Sequence, residues 1–114
     1  MNSKIFTLLA VILFIGSCKR DERVMENDLN NEVVRILTYD WNPTNQPAEV
    51  LVRYDYAHYA PPIIRLLNSG ATELQIADKL FWLETKNMKL IGDHARCDRV
   101  AKLLIQSQKR HDSR

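Results

Sequence analysis

Glycine, proline and cysteine are all scarce in this chain of 114 residues, and neither sign of charge dominates. Its 3 glycines and 4 prolines are too few for a collagen-like or low-complexity chain. Its 2 cysteines cannot build a small disulfide scaffold. A net charge of +2, from 16 basic and 14 acidic residues, does not indicate a nucleic-acid-binding protein. The remaining composition, 46% hydrophobic and 26% charged, is typical of one ordinary globular domain.

Long apolar runs are also absent, with one exception at the N-terminus. Residues 5–15 form an almost unbroken apolar segment that follows the positive charge of Lys4. This arrangement is typical of a secretory signal peptide. An uncleaved membrane anchor is the alternative, but the segment is shorter than the about 20 apolar residues that span a bilayer. We therefore expect a signal peptide at residues 1–17.

The segment ends in Ile15-Gly16-Ser17-Cys18, which resembles the bacterial lipobox of an aliphatic residue, two small residues and a cysteine. The resemblance implies cleavage before Cys18, lipidation of its thiol and attachment to a membrane. Two or three acyl chains would anchor the protein stably. Lys19, where inner-membrane retention uses Asp, resembles the pattern of outer-membrane lipoproteins. We expect a lipid-anchored protein of the bacterial cell envelope, more in the outer than in the inner membrane, with a charged tether at residues 18–30.

The spacing of apolar residues in the remaining chain predicts an all-α fold, a small bundle of about four helices over residues 31–108 with a polar tail at 109–114. The first helix begins near residue 27 or 28 and ends at Asn42-Pro43, because proline disfavours helical geometry in the residue before it. Residues 43–48 form a loop, and residues 49–53 are either extended or helical. A second helix runs from about Pro62 to Ser69, ended by Gly70.

The two remaining helices have clear start signals. Thr72 and Gln75 have the spacing of a capping box, and Asp93 is suited to cap a last helix from His94 to about Gln108. The expected buried side chains are spaced at helical intervals. In the first helix they are Leu29, Val33, Ile36, Leu37 and Trp41; in the third Ile76, Ala77, Leu80, Phe81 and either Leu83 or Glu84; in the last Cys97, Val100, Ala101, Leu104 and Ile105.

A set of landmarks across residues 32–104 resembles the YugE-like small helical bacterial proteins, a family of unknown function. Those landmarks are Trp41-Asn42-Pro43, Tyr54 to Tyr59, Ile63, Leu66, Leu67, Gly70-Ala71, Ile76-Ala77, Leu80, Glu84-Thr85, Met88 and Leu90. The resemblance implies a helical domain and carries no catalytic residue. Related domains are similar to small proteins encoded near bacterial antagonism toxins, where immunity partners are common. An immunity or accessory role is the corresponding expectation.

Aromatic residues offer the best candidate for a functional surface. Five of them are concentrated in two acidic stretches of the chain: Tyr39, Trp41, Tyr54, Tyr56 and Tyr59. Tyrosine and tryptophan are enriched at binding hot spots, since they combine a large contact area with a polar edge. Small helical domains also use these side chains to close their cores, which is the favoured alternative. The residues are candidates for binding a protein partner.

The sequence contains no clear set of catalytic or metal-binding residues. His94 and Cys97 would share a helix face with Asp93 and Asp98 close by, but two such ligands do not make a zinc site. The alternative is that Asp93 caps the helix and Cys97 is a small buried side chain. Glu84 is either an interior carboxylate, bonded to a tyrosine hydroxyl or a helix N-terminus, or a solvated residue. No phosphate loop or nucleophile elbow occurs in the sequence.

These observations predict a membrane-anchored lipoprotein with a small helical domain that binds another protein and is not an enzyme. They predict no cofactor, no metal and no nucleic acid. Two alternatives stay open: a small metal- or ligand-dependent enzyme built around His94 and Cys97, and a structural lipoprotein of the envelope.

Overall fold

The computed structural model describes residues 28–51 and 56–113. Within these residues the fold is all-α: helical segments follow one another and no strand occurs, as the sequence predicts. The predicted signal peptide, the lipidation site Cys18, most of the tether and Tyr54 lie outside the described residues.

The first helix, α1, comprises residues 28–41. Residues 28–35 are α-helical, and the helix continues without a break as a π-helical segment, Ile36–Trp41. Asn42 ends it in a left-handed conformation with φ 34°, and its N–H donates to the carbonyl of Leu37, five residues earlier. All five side chains expected to be buried in α1 are buried.

Two short helical segments precede the second long helix. A single turn, α2, spans Ala48–Leu51, so the segment that the sequence left open begins as a helix. A 3₁₀ turn, Ala57–Tyr59, then leads directly into α3, Ala60–Asn68. The helix begins two residues earlier than expected, because both Pro61 and Pro62 fit in its first turn, where no backbone N–H is needed. Gly70, with φ 79°, follows its end.

The long helices α4 and α5 form the other half of the domain. Helix α4 spans Glu73–Trp82 and continues as a second π-helical segment, Leu83–Asn87. The capping box between Thr72 and Gln75 is present with both of its hydrogen bonds. Helix α5 spans His94–Asp112, and the carboxylate of Asp93 accepts from the N–H of Arg96 at 3.0 Å. Both predicted start signals are confirmed.

The end of α5 differs from the prediction of a helix to about Gln108 followed by a polar tail. The helix continues to Asp112, and His111 is buried. The reason lies in α1: the carboxylate of Glu32 binds both the ring of His111, at 2.8 Å, and the guanidinium of Arg110. A tertiary ion pair holds the last turn of a helix whose local sequence is polar.

Helix α5 is the centre of the bundle, and both α1 and α4 pack against it. Glu32 contacts the C-terminal end of α5, whereas the end of α1 lies near its N-terminal end, so α1 and α5 run antiparallel. The core is formed by the apolar residues on the inner faces of all the helices. Its larger fully buried members are Trp41, Tyr56, Leu37, Ile63, Leu67, Ile76, Leu80 and Leu104.

Candidate functional site

The most unusual feature of the domain is a carboxylate with no solvent exposure, that of Glu84. It lies in the π-helical segment that continues α4, Leu83–Asn87. A buried charge is costly unless it is paired and hydrogen-bonded, so each of its contacts matters. We call Glu84 together with Trp41, Asp93 and Arg96 the Glu84 cluster.

Both carboxylate oxygens of Glu84 are occupied. Oε1 accepts from the indole N–H of Trp41 at 3.1 Å and from Nη2 and Nε of Arg96 at 2.6 and 3.2 Å. Oε2 accepts from the backbone N–H of Asp93 at 2.9 Å. The carboxylate thus joins the end of α1, the end of α4 and the start of α5. The positive end of the α5 dipole adds to the attraction.

The local geometry of two helices creates this meeting point. Trp41 ends the π-helical segment of α1, and Glu84 lies at the start of the one in α4. In the second segment the N–H of Met88 donates to the carbonyl of Leu83, and the N–H of Leu90 donates to that of Glu84. The chain between α4 and α5 therefore folds back along α4. Short π-helical segments are rare and are frequent at functional sites, which makes this the candidate site of the domain.

Gly92 permits that return of the chain. It has φ 89°, and a side-chain carbon placed on it would lie 2.6 Å from the ring of Phe81 and 2.8 Å from the methyl group of Thr85. Only glycine fits both this backbone conformation and this close approach. The position of Asp93, and hence its hydrogen bond to Glu84, depends on it.

Aromatic rings surround the Glu84 cluster on the side of α1. The ring of Trp41 lies 5.9 Å from that of Tyr56 and 5.8 Å, edge to face, from that of Tyr59. The hydroxyl of Tyr56 donates to the side-chain carbonyl of Asn42 at 2.9 Å and also contacts the hydroxyl of Thr44. These bonds fix the loop after α1 on the edge of the core.

The structure divides the five aromatic candidates for partner binding. Trp41 and Tyr56 are each only 1% exposed, so both rings belong to the core, which is the alternative that the sequence favours, and they are not available for direct contact with a partner. The physical reason is that the two large apolar rings pack against each other in the core, while the indole N–H donates to Glu84 and the Tyr56 hydroxyl donates to Asn42. Tyr39 is 56% exposed and Tyr59 is half-buried. Tyr54 lies outside the described residues.

His94 and Cys97, the two possible metal ligands, differ in their exposure to solvent. The ring of His94 is exposed and stacks on Phe81 at 3.7 Å, whereas Cys97 is completely buried, as expected for a small apolar side chain. Burial, and then the negative charge of Glu84, raise the pKa of the Cys97 thiol to about 12. In the part of the chain that the structure describes, no group of three or more histidine, cysteine or acidic side chains is arranged to hold a metal ion.

A second charged cluster joins the opposite end of α1 to α5. Glu32 contacts Arg110 and His111 of α5 and, more loosely at 3.6 Å, Arg35 of its own helix. Burial acts to raise the pKa of Glu32, but the hydrogen bonds from His111 and Arg110 outweigh it and lower the pKa to about 2. The carboxylate is therefore charged at neutral pH and clamps the two helix ends together.

Both clusters act as supports. The Glu84 carboxylate is fully engaged, and the thiol of Cys97 is a poor nucleophile because so little thiolate forms. From the sequence, Glu84 is either an interior carboxylate or a solvated residue, and the structure shows that it is interior. Its bond at the N-terminus of α5 agrees with one expectation, while the aromatic partner is the indole of Trp41 rather than a tyrosine hydroxyl. No local sequence pattern predicts the partners of these glutamates, because the partners are far away in the chain: Trp41 and Glu84 are 43 residues apart.

The exposed surface carries several large apolar side chains besides Tyr39. Trp82 is 49% exposed and Leu74 67% exposed on α4, and Ile91, in the chain between α4 and α5, is 97% exposed. Phe81, which the sequence predicts to be buried, is half-buried and packs against the core, whereas its neighbour Trp82 is half-exposed. None of the helices in the described residues has the length and apolarity needed to cross a bilayer.

Comparison with models of protein families, with curated proteins and with solved structures finds no match to this chain. The resemblance to the YugE-like proteins therefore stays a prediction from the landmarks in the sequence.

Proposed function

We propose that this protein is a lipoprotein of the bacterial cell envelope whose small helical domain binds another protein and has no catalytic activity. The observation that carries the proposal is the lipobox-like sequence Ile15-Gly16-Ser17-Cys18 at the end of an apolar segment. An N-terminal lipid would hold the protein at a membrane surface, more in the outer than in the inner membrane. An immunity or accessory role is the form of this function that we favour.

The domain itself supports a binding role. Its two charged clusters join helix to helix, and their carboxylates are engaged in holding the bundle together. The side chains left at the surface include Tyr39, which is 56% exposed and lies on a helix whose other face is buried. A tyrosine on such a rigid support offers contact area at a small entropic cost, because the backbone is already ordered.

The test is a pull-down of the C-terminally tagged protein from detergent-solubilised membranes of its own host. Trp41→Ala and Tyr56→Ala are unsuitable variants, because both rings are core residues whose loss would disturb the fold. Tyr39→Ala is the suitable variant, and Leu74→Ala is its matched control, an exposed apolar residue on a different helix.

We expect one protein to co-purify in near-stoichiometric amount with the wild type and with Leu74→Ala, and to be lost with Tyr39→Ala. If nothing co-purifies, or if both variants retain the partner equally, a binding role through Tyr39 is contradicted. The localisation is tested separately with Cys18→Ser, which should leave the precursor unprocessed.

A further inference from the structure

The end of α4 and the chain that follows it carry several basic and apolar side chains that are exposed, together with Lys79, which is half-buried. We call this region the Lys-Trp surface and define it by Lys79, Trp82, Lys86, Lys89 and Ile91. Lys79 and Trp82 are three residues apart on α4, and Lys79 holds its ammonium group 4.7 Å from the ring centre of Trp82. Lys86 follows in the π-helical segment Leu83–Asn87. Lys86 and Lys89 are both exposed.

The path of the chain places Ile91 beside this helix. Gly92 lies against Phe81 and Thr85, and Leu90 donates its N–H to Glu84 at 2.8 Å. Ile91, between these two anchored residues, is 97% exposed. Because both neighbours of Ile91 are fixed, its side chain cannot turn into the core. It therefore stays exposed on the surface.

We propose that the Lys-Trp surface docks on an anionic lipid bilayer, the membrane to which the protein is anchored. This inference rests on the proposed lipid anchor. Tryptophan favours the boundary between headgroups and acyl chains, where its ring is apolar and its N–H remains hydrated. Lysine stems can lie along the apolar boundary while their ammonium groups bind lipid phosphates. Ile91 supplies the side chain that enters the acyl region.

Charge complementarity favours this occupant. Three of the five residues that define the surface are cations, and none of the five is acidic. The exposed acids near it are Asp78, one turn before Trp82 on α4, and Asp93, which is 3.9 Å from the guanidinium of Arg96. The isolated, protruding Ile91 and the half-exposed Trp82 suit insertion into a fluid layer.

The length of the tether brings the surface within reach of the bilayer. Ten peptide units separate Cys18 from residue 28, which sets a limit of about 35 Å. The bundle is about 28 Å long, given the 19 residues of α5. A tethered domain of this size is confined next to the membrane, so that even a weak contact is populated. Anchoring by lipid plus a basic patch is a common combination of signals.

The experiment uses the full chain reconstituted into vesicles of brominated phosphatidylcholine, with and without phosphatidylglycerol. The two tryptophans make the assay selective, because Trp41 is buried and Trp82 is half-exposed. Bromine on the acyl chains quenches a tryptophan that reaches them. The Trp82→Phe variant assigns the signal to Trp82.

We expect quenching of Trp82 in vesicles with phosphatidylglycerol and weaker quenching at high salt, since salt screens the lysines. Lys86→Gln and Lys89→Gln should each lower the ratio of docked to undocked protein about fivefold. Lys102→Gln, a matched exposed lysine on α5, should leave it unchanged. Ile91→Ser should reduce quenching, whereas Leu74→Ser, another exposed apolar position on the opposite end of α4, should not.

The experiment distinguishes a wrong proposal about the Lys-Trp surface from a wrong proposal about the lipid anchor. The surface proposal is overturned if Trp82 is not quenched, or if Lys102→Gln weakens quenching as much as the other two substitutions do. A protein partner would then be the better occupant of this face. The anchor is tested separately, by the mass of the mature protein, which does not depend on whether Trp82 is quenched.

Discussion

Replacing Glu84 by glutamine should strongly destabilise the domain, although the two side chains have nearly the same shape. The substitution removes the negative charge that pairs with Arg96 and puts an amide NH₂ group in place of one acceptor oxygen. Either Asp93 N–H or the pair of donors from Trp41 and Arg96 then loses its acceptor. A buried donor without a partner costs about 1–3 kcal/mol.

The size of the effect follows from the burial of the two partners. Removing one member of a buried ion pair costs about 3–5 kcal/mol. The side chain of Arg96 is 21% exposed, so water relieves part of its loss, and the lower end of that range applies. We expect the free energy of unfolding to fall by about 3 kcal/mol, a large fraction of the about 5–15 kcal/mol of a typical domain.

The assay is urea unfolding followed by circular dichroism, with Glu73→Gln as the matched control. Glu73 is an exposed carboxylate in the first turn of the same helix, so its substitution should cost less than about 1 kcal/mol. The double variant Glu84→Gln with Arg96→Met should cost less than the sum of the two single variants, because the pair is coupled. Equal stabilities of Glu84→Gln and Glu73→Gln would refute the reasoning.

Three further predictions concern the acid range, a glycine and the free thiol. The pKa of Glu32 falls from 4.5 to about 2 on folding, so its contribution to stability is fully present above pH 4.5 and is lost as the pH falls through 2. With screening of this partly exposed cluster, we expect Glu32→Gln to lose about 1–2 kcal/mol of unfolding free energy at pH 6, and this difference to shrink steadily as the pH is lowered to 2. A constant difference between pH 6 and pH 2 in urea unfolding would contradict this. Gly92→Ala should lower the free energy of unfolding by about 2–3 kcal/mol, because the alanine would be strained in this backbone conformation and would clash with Phe81. Gly70→Ala should lower it by only about 1 kcal/mol, since Gly70 has φ 79° but open space around it. If thermal unfolding ranks the two variants in the reverse order, the close approach at Gly92 is contradicted. Cys97 is completely buried and its pKa is raised from 9.0 to about 12, so iodoacetamide should alkylate it much more slowly in the folded than in the unfolded protein. Mass spectrometry that finds rapid labelling without unfolding would contradict this.

Local sequence patterns were sufficient for most of the helices. The period of the apolar residues predicted the buried faces of α1, α4 and α5, because each face only requires apolar side chains every three or four positions. The capping signals at Thr72 and Asp93 were also correct, since each cap involves residues three positions apart. These features depend on neighbours in the chain, which is why they can be read from the sequence.

The features that the sequence could not provide depend on distant partners. The last turn of α5 is polar, and only its pairing with Glu32, almost 80 residues earlier, makes it helical to residue 112. The π-helical segments have no spacing signal of their own. The residue types of Trp41 and Tyr56 are compatible with either a core or a surface position. In the structure both rings can be buried, because Glu84 accepts the indole N–H and Asn42 accepts the tyrosine hydroxyl.

The central claim is that Cys18 is the lipid-bearing first residue of the mature protein. Intact-mass spectrometry of the protein purified from membranes tests it most directly, since the mass gives both the first residue and its modification. The account predicts a chain that begins at Cys18 and carries a diacylglyceryl group, and an unprocessed chain for Cys18→Ser. A mature chain that begins elsewhere, or a Cys18 without lipid, would contradict it.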